Sequence, residues 1–125
     1  MKKVKIKMSI IDGLGEECFI NEVGTYNEKE KTIIYKEENV SVKIIMEDKI
    51  IIERENQDYS MKLIFEEQKV HNSSYNIYKP KMVLDLSVNT LILKRNVNSF
   101  YIKYKLVINN EDMGIFTVDF KWEVQ

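Results

Sequence analysis

The chain has 125 residues, 44% hydrophobic and 31% charged, which fits one soluble globular domain spanning residues 1–125. Its 19 Lys and Arg against 20 Asp and Glu leave a net charge of -1, without the positive field that nucleic-acid binding requires. A single cysteine excludes an internal disulfide and suits the reducing cytoplasm, and no apolar run is long enough for a membrane span or signal peptide.

Alternation of apolar and polar residues runs through the first half of the chain and predicts strands with one buried face. The first strand, residues 3–11, ends at a turn that contains Gly13 and Gly15. Strands two and three each contain an adjacent apolar pair, Phe19–Ile20 and Ile33–Ile34, so both of their faces carry apolar groups. Strands two to six are predicted at residues 17–26, 32–38, 40–46, 50–55 and 60–65.

The second half continues the same pattern with more irregularity. Strand seven, residues 70–78, is more polar, and strand eight starts after Pro80, which has no N–H for a ladder. The apolar phase slips near residues 88–90, which predicts a bulge there. Residues 94–99 are predicted to form a loop. A final hairpin pairs residues 100–108 with residues 116–124 across a turn at 109–112.

About ten strands joined by short turns predict an all-β fold in the form of an antiparallel meander. Such a long one-sided sheet is expected to close, because closure buries the apolar face and removes exposed strand edges. We therefore predict a barrel of roughly 8 to 10 strands, with less than about a tenth of the chain in helix.

Four stretches resemble the YwiB-like family of small bacterial calycin-like β-barrel proteins of unknown function. They occur in the same order as in the family and span nearly the whole chain: residues 15–26, 35–38, 52–54 with 60–67, and 78–90 with 104–106. The resemblance implies a calycin- or lipocalin-like barrel in the bacterial cytoplasm, and it implies no reaction.

No residue pattern points to catalysis, a metal or a cofactor. The single His71 and the single Cys18 lack the spacing of zinc ligands, and the acids are not clustered. We interpret His71 as a partly exposed surface residue and Cys18 as a small buried or half-buried filler. The Gly13–Leu14–Gly15 segment lacks the rest of a phosphate-binding loop. We therefore expect a protein that is not an enzyme.

Two charged residues stand in phase with apolar strand faces. Glu37 shares a face with Tyr35, and Arg54 shares a face with Ile50 and Ile52. If both faces are interior, the charges should pair, because an unpaired buried charge is costly. The pair could fix strand register near the barrel mouth, anchor the carboxylate of a ligand, or serve as an acid and base.

Two hypotheses for function follow from these patterns. In the first, the barrel binds a small apolar or amphipathic ligand in its lumen. The candidate contacts are Arg54, Tyr35, Glu37, Tyr104 and Trp122. In the second, the barrel is packed and acts as a protein-interaction module or homodimer through the outward apolar groups of strands two and three. A packed interior would favour the second hypothesis.

Overall fold

Ten β-strands and no helix make up the fold, which a computed structural model describes for all residues, 1–125. The strands are β1 (Lys2–Ile11), β2 (Glu17–Asn27), β3 (Thr32–Glu37), β4 (Val40–Met46), β5 (Ile50–Glu55), β6 (Tyr59–Phe65), β7 (Val70–Tyr78), β8 (Lys81–Asn96), β9 (Ser99–Ile108) and β10 (Glu111–Val124). The structure contains no helix with the length and hydrophobicity needed to cross a membrane.

The strands form a closed antiparallel meander. Each strand pairs with its neighbours in sequence, and β1 completes the ring by pairing with both β2 and β10. The predicted all-β fold and closed barrel are thereby confirmed, with ten strands at the upper end of the predicted number. Because the ring is closed, every strand pairs with a neighbour on both sides over at least part of its length.

Two of the barrel's ladders are short, and they divide its wall into two sheets. β2 pairs with β3 only over Thr25–Asn27, and β6 pairs with β7 only over Tyr59–Met61. These two corners separate a small sheet, β3–β6, from a large sheet made of β7–β10, β1 and β2. At the first corner Gly24 lets the sheets approach closely, since a Cβ there would lie 2.5 Å from the Ile34 carbonyl oxygen.

The space between the sheets is filled by one core of 19 hydrophobic residues, each at most 7% exposed. All strands except β2 and β7 contribute to this core. They do so through the alternate residues that the sequence pattern assigns to the inner face. The ring of Phe65 in the small sheet contacts the ring of Tyr104 in the large sheet, with centroids 4.8 Å apart. Side chains therefore bridge the barrel lumen.

Two bulges adjust the long strands of the large sheet. The register between β8 and β9 shifts between Thr90 and Ile92, close to the predicted position. A second shift, between Asp112 and Ile115 of β10, was not predicted. The final hairpin turns at Asn109 and Asn110, both with positive φ, so the turn is shorter than predicted and β10 starts at Glu111.

Two predictions about local structure are wrong. Residues 94–96 continue β8 instead of starting a loop, because their backbone pairs with Ser99–Tyr101 despite their polar side chains. Cys18 is exposed rather than buried, because it lies near the end of the barrel, opposite Ile10. Val124 is in phase with the inner face but is 45% exposed at the other end.

Candidate functional site

An ion pair between Arg54 and Glu37 is the centre of the polar cluster inside the barrel. Arg54 Nη2 donates to Glu37 Oε1 at 2.7 Å, and Nη1 donates to Oε2 at 3.2 Å, so the pair is bidentate. The hydroxyl of Tyr35 donates to the same Oε2 at 2.5 Å. Only 24% of the Arg54 side chain and 16% of the Glu37 side chain are exposed. Two-point contact holds both side chains in one orientation.

The strand register explains why these residues meet. Glu37 is the last residue of β3, and Arg54 is close to the end of β5, with β4 between them. Val40 and Val42 of β4 stand opposite Glu37 and Arg54, and all four residues belong to the inner face. The small valine side chains leave room for the guanidinium to reach across β4 to the carboxylate.

Burial changes the ionisation of this cluster. Burial of Tyr35, together with the hydrogen bond to Glu37 and its negative charge, raises the pKa of the Tyr35 hydroxyl far above its ordinary value. Burial alone opposes a charge on Arg54, but the hydrogen bonds and charge of Glu37 outweigh it and raise the pKa of the guanidinium. Burial also raises the pKa of Tyr104. Tyr35 and Tyr104 are thus neutral and Arg54 is cationic throughout the physiological range.

Aromatic side chains surround the ion pair. Tyr59 is close enough to Arg54 to affect its pKa, and its ring packs on Tyr75 with centroids 5.6 Å apart. Tyr104 stacks on Phe116 at 5.4 Å. These contacts leave the cluster polar at its centre and aromatic at its sides, an arrangement suited to an amphipathic ligand or to a rigid structural plug.

Trp122 lies at the other end of the barrel from Arg54. It stands opposite Ile6 near the start of β1, whereas Glu37 terminates β3, which runs towards the opposite end. Its ring is half-buried against the core and packs on Tyr26, with centroids 4.5 Å apart. Of the five candidate contacts, the structure therefore brings together Arg54, Tyr35 and Glu37, places Tyr104 beside them, and leaves Trp122 apart.

Two members of the cluster were missed by sequence reasoning. Glu22 of β2 is in phase with the inward Ile20 and Gly24, and its charge contributes to the raised pKa of Tyr35. Tyr59 opens β6 beside Arg54. The alternation of β2 indicates that Glu22 faces inwards. The polar segment before Met61, by contrast, gives no indication that β6 begins at Tyr59.

Comparison with known proteins places this barrel in a family. Residues 4–120 match the family model described as "Domain of unknown function (DUF1934)". The chain belongs to this family. Among solved structures it is similar to the ywiB protein from Bacillus subtilis, with a TM-score of 0.62 and 13% sequence identity. That match covers 98% of this chain and 90% of the other, so it shows a shared fold, consistent with a calycin-like barrel. No curated protein matches the chain.

In this DUF1934 barrel, His71 is partly exposed, as predicted. The His71 side chain is 23% exposed and its Nε2 lies 2.8 Å from Glu66 Oε1. The hydrogen bond with His71, supported by Lys69, lowers the pKa of the Glu66 carboxyl. This bridge joins the diverging ends of β6 and β7. No group of three or more His, Cys, Asp or Glu residues has the geometry to hold a metal ion.

An open groove of about 940 Å³ runs over the outer side of the small sheet and into the gap between β6 and β7, where Arg54 also lines it. Of its 18 lining residues only four are hydrophobic, and no aromatic ring is among them. Outward isoleucines add an apolar row beside the groove, because Ile45, Ile51 and Ile64 are consecutive cross-strand partners. Adjacent apolar residues in β4, β5 and β6 indicate in the sequence that these strands carry outward apolar side chains. The adjacent pairs in β2 and β3 indicate the same for Phe19 and Ile34.

The raised pKa values of Tyr35 and Tyr104 predict alkaline instability. Because the folded state holds these two protons more tightly, their contribution to stability is complete below the unfolded pKa of about 10 and is lost as the pH rises above it. We expect tyrosinate absorbance to show two of the seven tyrosines ionising only when the chain unfolds. The Y35F/Y104F double variant should unfold at a higher pH. Ionisation of all seven tyrosines in a folded barrel would contradict this prediction.

Proposed function

We propose that the protein is a non-enzymatic, packed barrel that recognises another protein chain through its outer surface. The contact between Phe65 and Tyr104 is the observation that carries the proposal, because it joins the two sheets across the space where a lumen ligand would lie. The core residues around it, including Ile44, Ile50 and Ile102, are fully buried. A ligand could enter only by displacing side chains that already pack against each other.

The pairing of Arg54 supports the same proposal. Nη1 and Nη2 of Arg54 already make a two-point contact with the Glu37 carboxylate. A ligand carboxylate could take that same position only by replacing Glu37, which would leave this acid half-buried without a cation. The ion pair is therefore best explained as a structural contact that holds β3 and β5 in register.

Apolar residues on the outside supply the surfaces that such a module needs. Phe19 is 69% exposed, Val23 is 50% exposed and Ile34 is 43% exposed, along β2 and the neighbouring strand β3. The outward orientation of Phe19 and Ile34 confirms the sequence interpretation that both faces of these strands carry apolar groups. Exposed apolar groups that share a face are typical of interaction surfaces.

A ligand titration tests the proposal against binding in the lumen. Trp122 packs against the core at one end of the barrel, so its emission reports on entry there, and the melting temperature reports on binding anywhere. We expect fatty acids and aromatic carboxylates to change neither quantity.

A saturable response at one ligand per chain, weakened by R54M for anionic more than for neutral ligands, would contradict the proposal. That result would establish the second candidate function, an amphipathic ligand held between Arg54 and the tyrosines Tyr35 and Tyr104. The observation in favour of this candidate is the aromatic wall around the ion pair.

A further inference from the structure

The outer face of the small sheet carries a repeating pattern of complementary rows. In one row, Lys43 of β4 stands directly opposite Glu53 of β5. In the next row along the same strands, Ile45 stands opposite Ile51. All four side chains point outwards and are partly exposed. A row with charges of opposite sign therefore lies beside a row of two isoleucines, on adjacent strands.

The charges of this face are not used within the chain. The five ion pairs of the structure involve neither Lys43 nor Glu53, although the two residues are cross-strand partners. Lys62 of β6, on the other side of Glu53, is also outside these pairs. On β4 and β5 the face thus presents a basic residue beside an acidic one, and a partner with these two charges in the reverse order would complement it.

We propose that a second copy of this chain packs on this face, related by a two-fold axis that runs along the strands between β4 and β5. Such an axis places β4 over the partner's β5 at the same height along the strands. Lys43 then meets the partner's Glu53 and Ile45 meets the partner's Ile51, each contact occurring twice. The inference rests on the proposal that the outer surface is the working surface, and it names the partner.

The geometry of packed sheets is compatible with this contact. Two sheets pack face to face at about 10 Å with their strands turned by about 30°, so the rows next to the axis stay aligned. The long side chains of Lys43, Glu53 and Lys62 line the groove of about 940 Å³ and fill the space between the faces. Four short strands form a small interface, so we expect dissociation in the micromolar range.

The stripe formed by Phe19, Val23 and Ile34 is the rival surface, and it adjoins the proposed interface because Ile34 stands opposite Lys43. It is more exposed, but it lacks an ordered charge pattern that would select a second copy: the outward residues of the adjacent β1 are lysines, with Lys5 opposite Val23 and Lys7 opposite Asn21. Apolar exposure alone does not choose a partner. The complementary rows on β4 and β5 do select a partner. After a two-fold rotation each row of one copy faces a complementary row of the other.

Charge reversal tests the proposed interface. Sedimentation of the full chain across the micromolar range should show a monomer–dimer equilibrium. K43E and E53K should each weaken the dimer by about tenfold or more, because like charges then meet at both symmetry-related contacts. The K43E/E53K double variant should restore it. K121E, an exposed strand lysine on β10, is the matched control and should have no effect, and thermal melting should show that every variant is folded.

Carbodiimide cross-linking of the unmutated protein gives a second measurement that does not depend on variants. In a mixture of unlabelled and ¹⁵N-labelled chains, mass spectrometry should find the Lys43–Glu53 link between a labelled and an unlabelled peptide. A monomer at all concentrations would overturn the inference. A dimer that V23D dissociates and K43E leaves intact would overturn it as well, while the proposed interaction role would stand. A lumen ligand would instead defeat the proposed function and leave the dimer to be decided by these tests.

Discussion

Replacing Arg54 with alanine is expected to lower the free energy of unfolding by about 3 kcal/mol, at the lower end of the range for breaking a buried ion pair. The side chain is still 24% exposed, which reduces the penalty below that of a fully buried charge. The loss arises because the Glu37 carboxylate stays inside the barrel with only the Tyr35 hydroxyl as a partner. Urea denaturation, with the slope held in common, would measure the change.

A double-mutant cycle separates the charge effect from the loss of packing. R54M/E37L removes both charges and should recover much of the stability, although Tyr35 then loses its acceptor. The exposed pair of Lys2 and Glu28 is the matched control, and E28A should cost less than about 1 kcal/mol. A similarly small loss for R54A would mean that water replaces Glu37 at little cost and that the pair does not lock the small sheet.

Replacing Gly24 with alanine is expected to cost about 3 kcal/mol, because the added methyl group overpacks a corner of the barrel. The new Cβ would lie 2.5 Å from the Ile34 carbonyl oxygen and 2.9 Å from the Tyr35 Cβ. The first of these atoms is backbone and cannot turn aside. Relief therefore requires β2 and β3 to separate at one of the two short ladders, where only three residue pairs hold them.

Gly15 provides the control for the backbone effect of the same substitution. A Cβ there meets nothing within 4 Å, but φ is +84°, so G15A should cost about 1 kcal/mol through strain alone. Equal losses at both positions, measured by denaturation, would show that the corner adapts without cost. The larger loss at Gly24 should also move amide resonances of Ile34 and Tyr35.

The sequence predicted the inward residues of most strands, because side chains alternate along a strand and a buried face must be apolar; β2, with its inward Glu22 and exposed Cys18, is the exception. The pairing of Arg54 with Glu37 followed from the same rule. The end of the barrel at which a residue lies was not predictable, since shifting a strand by two residues preserves its face and changes its height. This is why Trp122 was grouped with Arg54 although the stagger of the strands separates them.

Features that depend on contacts between distant strands were also beyond the sequence. The two short ladders arise where the sheets bend past each other at Gly24 and after Met61, and alternation continues through both places. The second bulge is similar: at Gly114, with φ of +92°, a Cβ would lie 2.9 Å from the Gly13 Cα, so it meets a turn about a hundred positions earlier in the chain. Local patterns do not encode such approaches.

The pairing of β1 with β10 determines when the barrel can become complete. Val4 stands opposite Val124, so the ring closes only when the first and last strands in the sequence pair with each other. Until then the backbone hydrogen-bonding groups on one side of β1 have no partner. The sheet, which includes the isoleucine-rich β5, is open at this edge, and other chains could extend it. During synthesis, β10 is the last of the ten strands to leave the ribosome. Folding is therefore expected to be slow and to end in a single late closure, before which aggregation competes with the native state.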